Sequence, residues 1–203
     1  MDLGLRERVC LVTGSTSGIG LETARLLAAE GARVVVCGRD ADRVARAKTD
    51  VAAEHGVAVD LSAPEAPAEL FAEIGRSMGE VQCLVNNVGA AYQAQFDQLS
   101  DGQWDEMWQL NVMSYVRCIR EALPAMRSAK AGAIVNVAST AAKRPSTGMP
   151  NYSVTKAAVM VQLGIAEVLK GQMADTFQRG FHIHRAGTDL FQQTAKLLLI
   201  HLN

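Results

Sequence analysis

Short β-branched runs alternate with longer stretches of helical periodicity from the first strand onward, and this alternation constrains the fold more than any other feature. Val9 to Thr13 is an apolar run bounded by glycine. Gly20 to Glu30 follows as a helix, with Leu21, Ala24, Leu27 and Ala28 on one face. Arg33 to Cys37, Val57 to Asp60, Val81 to Asn86 and Ala133 to Ala138 read as four further strands. Between them lie helical patterns over Ala41 to Glu54 and Ala66 to Met78. Ser100 and Gln103 form a capping-box pair for another helix, which runs towards Arg127 and is expected to bend near Pro124. Ser153 to about Met173 is a last long helix.

Strands apolar on both faces and separated by helices imply a parallel sheet covered on both sides. Right-handed crossovers make it doubly wound, an α/β fold of three layers. The 203 residues suit one domain, and 49% hydrophobic against 20% charged residues is ordinary for a chain with a sizeable core. Twenty Lys and Arg against 21 Asp and Glu leave a net charge of -1, with no footprint for nucleic acid or an anionic membrane. Four cysteines, Cys10, Cys37, Cys83 and Cys118, show no CxxC spacing and read as buried free thiols in a reducing compartment. Met1-Asp2-Leu3-Gly4 opens no secretion signal, and no apolar run is long enough to span a bilayer, so a cytoplasmic location is expected.

Ligands of doubly wound sheets bind beyond the carboxyl ends of the strands. The first strand ends in Thr13-Gly14-Ser15-Thr16-Ser17-Gly18-Ile19-Gly20, and a helix begins at once. Glycines allow a tight turn and close approach of backbone to a pyrophosphate, while the helix N-terminus offers free N–H groups. A glycine-rich turn alone is a weak signal; the strand-turn-helix context strengthens it.

The Gly-x-x-x-Gly-x-Gly spacing resembles the TGxxxGIG signature of the classical short-chain dehydrogenases/reductases. Asn86-Asn87-Val88-Gly89 resembles that family's NNAG motif, and Tyr152 and Lys156 form YxxxK thirteen residues after Ser139. The match runs in order from Leu5 to about Ala158. The resemblance implies a Rossmann-type sheet and a nicotinamide cofactor. It also implies that Asp60 and Leu61 lie near the adenine, that Asn87 and Gly89 line the cofactor site, and that Lys156 holds the nicotinamide ribose. By the same resemblance Asn111 completes a proton relay through water, and substrates are expected among ketones and secondary alcohols, 3-oxoacyl thioesters included.

The residues supply their own physical reasons. Tyr152 and Lys156 share a helix face. A free tyrosine ionises near pH 10, and a neighbouring ammonium favours the phenolate, which suits a general acid/base at neutral pH. Ser139 is expected to orient the same substrate oxygen. At the end of the second strand Gly38 stands where an acid would accept the ribose 2'-hydroxyl of NAD, and Arg39 follows, whose planar fork suits a 2'-phosphate. NADP(H) is therefore expected over NAD(H), although Arg39 could instead stack or point to solvent while Asp40 caps the next helix.

The helix after Tyr152 is apolar nearly all round, and the Trp104 to Met126 helix carries a similar surplus, so a homo-oligomer is expected; the chain's own C-terminus is the alternative cover. After about Ala166 the resemblance decays. Gly180 to His184 makes a poor sixth strand, Arg185 to Thr188 stands where the family has a Pro-Gly turn, and Gly171 to Gly180 matches nothing. Asp189 to Asn203 reads as an amphipathic helix, and nothing resembles the last strand. His182 and His184 lack partners for a metal site. Segment 167–203 is thus an atypical end to a single domain whose last strands are missing or altered. A shortened or frameshifted product, omitted loops and a natural variant with a reduced substrate lobe all remain open here. Two functional classes follow: an NADP-dependent oxidoreductase, or a catalytically weak dinucleotide-binding protein with a scaffold or regulatory role.

Overall fold

The computed structural model describes the chain over residues 3–165 and 197–202. Five strands, β1 (Val9–Val12), β2 (Arg33–Gly38), β3 (His55–Ala58), β4 (Cys83–Asn86) and β5 (Gly132–Val137), pair in parallel. A sixth, β6 (Leu197–Leu202), pairs antiparallel with β5, giving the order β3-β2-β1-β4-β5-β6. The order reverses between β1 and β4, so the crevice for a ligand opens there.

Each strand sends alternate side chains to two cores. Val9 and Leu11 of β1 join Val35, Leu84 and Ile134 on one face. They are covered by Leu70 and Ile74 of α3 (Ala66–Ser77) and by Cys118, Ile119, Ala122 and Met126 of α5 (Ser114–Ala129). Cys10 and Val12 face the other way with Val34, Val36, Val85 and Val135, under α1 (Gly18–Ala29) and α2 (Ala41–Asp50). All four cysteines are buried and free, and burial pushes the Cys37 thiol up to about 12.

The Ser100–Gln103 capping box is present and opens α4 (Asp101–Trp108). The predicted long helix is divided in the structure into α4, a π turn and α5. The π turn covers Gln109–Met113, while Pro124 sits inside α5. Within that turn Asn111 bonds the backbone of Ala90, 21 residues away, and the Ser114 hydroxyl bonds Leu110 O. β3 lies two residues earlier than expected, because its register against β2 runs from Val35↔His55 to Gly38↔Ala58. Asp60 is thereby released into a turn, where its Oδ1 accepts from the Ser62 N–H (3.0 Å) and hydroxyl (2.8 Å). The last long helix, α6 (Pro150–Ile165), starts at Pro150 rather than Ser153, proline being preorganised for the first helical position.

The expected C-terminal helix is also corrected where it can be followed: Leu197–Leu202 is a strand. The open edge of β5 offers a row of unpaired N–H and C=O groups, and pairing along all six of its residues outweighs the helical preference of leucine. The readings for residues 166–196, including His182, His184 and the Arg185 to Thr188 turn, lie outside the described residues.

Candidate functional site

At the switch point, the turn after β1 and the segment after β4 are pinned together. Thr13 Oγ1 accepts from the N–H groups of Asn87 (2.9 Å) and Val88 (3.1 Å). Asn87 Nδ2 returns bonds to the carbonyls of Thr13 and Gly14, each at 3.0 Å. Gly14 has φ +62, and a Cβ there would lie 2.8 Å from Val88 Cα, so only glycine fits. A Cβ on Gly20 would strike Asn87 Nδ2 and the Gly14 carbonyl. The glycines of this turn are thus demanded by close approach as well as by curvature.

The turn opens into α1 with neither a side-chain cap at Ser17 nor an acid in the first turn, leaving its amide N–H groups for an anion. A cleft of about 650 Å³ lies in front of it. Of the residues the sequence offered for a cofactor site, Gly14, Thr16, Ser17, Ile19, Gly20, Arg39, Asp60, Leu61, Asn87 and Gly89 line it, joined by Gly38, Asp40 and Arg43. Ser15 does not line it. Its side chain is buried, donating to Val12 O (2.7 Å) and accepting from Cys37 N–H (2.9 Å), and so braces β1 against β2. Gly18 also lies off the lining, and its φ of +56 turns the chain into α1.

The remaining candidates gather at the same end of the sheet. Asn111 is fully buried; its Oδ1 accepts from Ala90 N–H (2.9 Å), and its Nδ2 reaches Ala90 O (3.0 Å) and Thr155 Oγ1 (3.1 Å). Ser139 follows β5, and its Oγ accepts from Ala141 N–H (3.2 Å). Lys156 is buried, and its Nζ donates to Val137 O (2.9 Å), two residues before Ser139. The same Nζ stands 3.4 Å from Tyr115 Oη and 5.9 Å from the Tyr152 ring centroid. Burial pushes the Lys156 ammonium down to about 8, because the charged form loses its water. Gly89 keeps the space between Asn111 and Lys156 open: a Cβ there would lie 3.0 Å from Asn111 Oδ1 and 3.6 Å from Lys156 Nζ.

Sequence reasoning missed Arg43, Tyr115, Thr155 and Ala90. Arg43 carried a signal, a second basic residue one helical turn beyond Arg39. Tyr115 and Thr155 carried none, since they reach the site only through packing of the π turn against α6. Asp40 caps α2, its Oδ1 accepting from Arg43 N–H at 2.8 Å.

A glycine turn at the switch point, beside a tyrosine and a buried lysine one helical turn apart, is the arrangement of a dinucleotide-binding doubly wound fold. The chain belongs to the short chain dehydrogenase family, whose model matches residues 8–175. It is 40% identical over 175 residues to the uncharacterized oxidoreductase YvrD of Bacillus subtilis, covering 84% of this chain and 66% of that protein. It is 31% identical to the 3-oxoacyl-(acyl-carrier-protein) reductase FabG of Aquifex aeolicus, over 86% of this chain and 71% of that one. The L-sorbose reductase of Gluconobacter frateurii, solved with NADPH and L-sorbose, superposes with a TM-score of 0.76 at 38% identity, over 80% of this chain and 64% of that one. The chain therefore spans just under two thirds of the length of YvrD and of the sorbose reductase.

Proposed function

We propose that the protein is an NADP(H)-dependent oxidoreductase that interconverts a ketone and a secondary alcohol. The observation that supports this reading is the placing of Lys156, whose Nζ lies 5.9 Å from the Tyr152 ring centroid and donates to Val137 O two residues before Ser139, on a helix that also holds Asn111 through Thr155. The nicotinamide, when bound, supplies the hydride. Tyr152 gives a proton to the ketone oxygen, or takes it from the alcohol. Ser139 bonds that oxygen and orients it. Lys156, held by Val137 O, places positive charge beside Tyr152 and offers its remaining N–H donors to the ribose. Asn111, locked to Ala90 and Thr155, completes the proton relay through water.

NADP(H) is supported by the absence of an acid at Gly38, by Arg39 on the cleft, and by the NADPH bound in the sorbose reductase structure. Substrates are sought among 3-oxoacyl thioesters and polyhydroxy ketones, the chemistry named for the relatives above. The chain forms one domain with an atypical segment over 167–203. Val154 and Val161 of α6 and Trp108 of α4 remain exposed in the single chain, which favours a homo-oligomer. No helix among the described residues is long and apolar enough to cross a membrane, and a cytoplasmic location is proposed.

The test is NADPH oxidation against a panel of such ketones, with Tyr152→Phe alongside. Turnover should fall by at least about a hundredfold in the variant while NADPH binding is retained. Cofactor binding without turnover on any substrate would favour the dinucleotide-binding scaffold instead.

A further inference from the structure

Beside Lys156 stands a buried titratable group that takes no part in the proton relay. Tyr115 is fully buried in the first turn of α5, packed with Val112 of the π turn and Val159 of α6. Its hydroxyl donates to Val137 O and accepts from Lys156 Nζ, each at 3.4 Å. Lys156 Nζ donates to the same carbonyl at 2.9 Å, so phenol, ammonium and carbonyl close a triangle. The ammonium also lies 5.3 Å from the Tyr115 ring centroid, nearer than the 5.9 Å to the Tyr152 ring.

A side chain that only fills the core at 115 needs no hydroxyl, and a buried hydroxyl costs free energy unless it is bonded. Here its proton goes to Val137 O, which leaves a lone pair for the ammonium. Burial pushes the Tyr115 phenol above its ordinary range, so it keeps that proton at neutral and mildly alkaline pH. Among the described residues, the titratable groups facing Lys156 are Tyr115 from α5 and Tyr152 on its own helix. β5 presents the Val137 carbonyl, and the segment after β4 presents Gly89.

We propose that Tyr115 is a positioning residue for Lys156: its hydroxyl and ring hold the ammonium on Val137 O and beside Tyr152. The inference rests on the oxidoreductase reading and deepens it. Without that hydroxyl the buried ammonium loses an acceptor and gives up its proton more readily. The positive charge beside Tyr152 then fades at a lower pH.

The test is a pH titration of Lys156 by NMR in chain carrying lysine labelled at Cε, with Lys156→Met to assign the signal. Lys156 should titrate about half a pH unit lower in Tyr115→Phe, which keeps the ring and loses the hydroxyl. It should titrate lower still in Tyr115→Met, which loses both. In NADPH-dependent ketone reduction the alkaline limb of kcat/KM should move down by a like amount in Tyr115→Phe. An unchanged Lys156 midpoint in the two variants is what a residue that merely fills the core would give, and it would overturn the proposal. The oxidoreductase reading fails in a different place: the native chain would reduce no ketone, while the Lys156 midpoint would still report the hold of Tyr115.

Discussion

Lys156 is the residue whose surroundings change its chemistry most. It is buried against Tyr115 and the Val137 carbonyl, and burial holds its ammonium near 8 where a free lysine stands near 10.5. A lysine with a depressed folded pKa binds its proton less tightly in the folded chain than in the unfolded one. Its cost to stability is full below pH 8 and fades as the pH approaches 10.5, so this contribution to stability rises with pH across that window. Lys156→Met removes the effect. Between about pH 7.5 and about pH 9.5, denaturant unfolding of the native chain should gain about 2 kcal/mol relative to the variant. Parallel pH dependence in the two proteins would show that burial does not act on Lys156 in this way.

At the scale of elements, α4 and the π turn show two routes by which sequence sets local structure. The start of α4 is chemically explicit: Ser100 Oγ accepts from Gln103 N–H, and Gln103 Oε1 accepts from Ser100 N–H at 3.0 Å. Ser100→Ala should cost about 1 kcal/mol in urea unfolding, with Gln103→Ala adding little once Ser100 is gone. A full additive loss would mean that the two bonds act independently. The capping box was legible because both partners lie within four residues. The π turn was not, because it answers to Ala90 and Thr155, which stand 21 and 44 residues from Asn111. Proline, the obvious local suspect, is accommodated within α5.

At the scale of the whole molecule, the described residues of the sheet include an internal polar pair. Asn86 and Asn136 face each other in register across β4 and β5, and Asn86 Nδ2 donates to Asn136 Oδ1 at 2.8 Å. Among the described residues, Asn86 Oδ1 and Asn136 Nδ2 have no partner. Either single change to valine should cost about 2 to 3 kcal/mol by orphaning the remaining amide. The double change should cost less than the sum by at least about 1 kcal/mol, since both polar groups then leave together. A double-mutant cycle by denaturant unfolding decides it, and strict additivity would show that the pair is not coupled.

The sequence by itself determined the order and type of the five parallel strands, the helices between them, the glycine turn and the Tyr152–Lys156 face. These depend on periodicity and near-neighbour chemistry, which a linear chain displays. The tertiary structure alone decided how the ends were used. It buried Ser15 as a brace instead of a cleft residue, and it placed Arg43 beside the turn 26 residues before it. It gave Leu197–Leu202 to the free edge of β5 as an antiparallel strand. Each of those outcomes depends on which backbone or side-chain groups distant segments leave unpaired, and that is settled only when the sheet assembles.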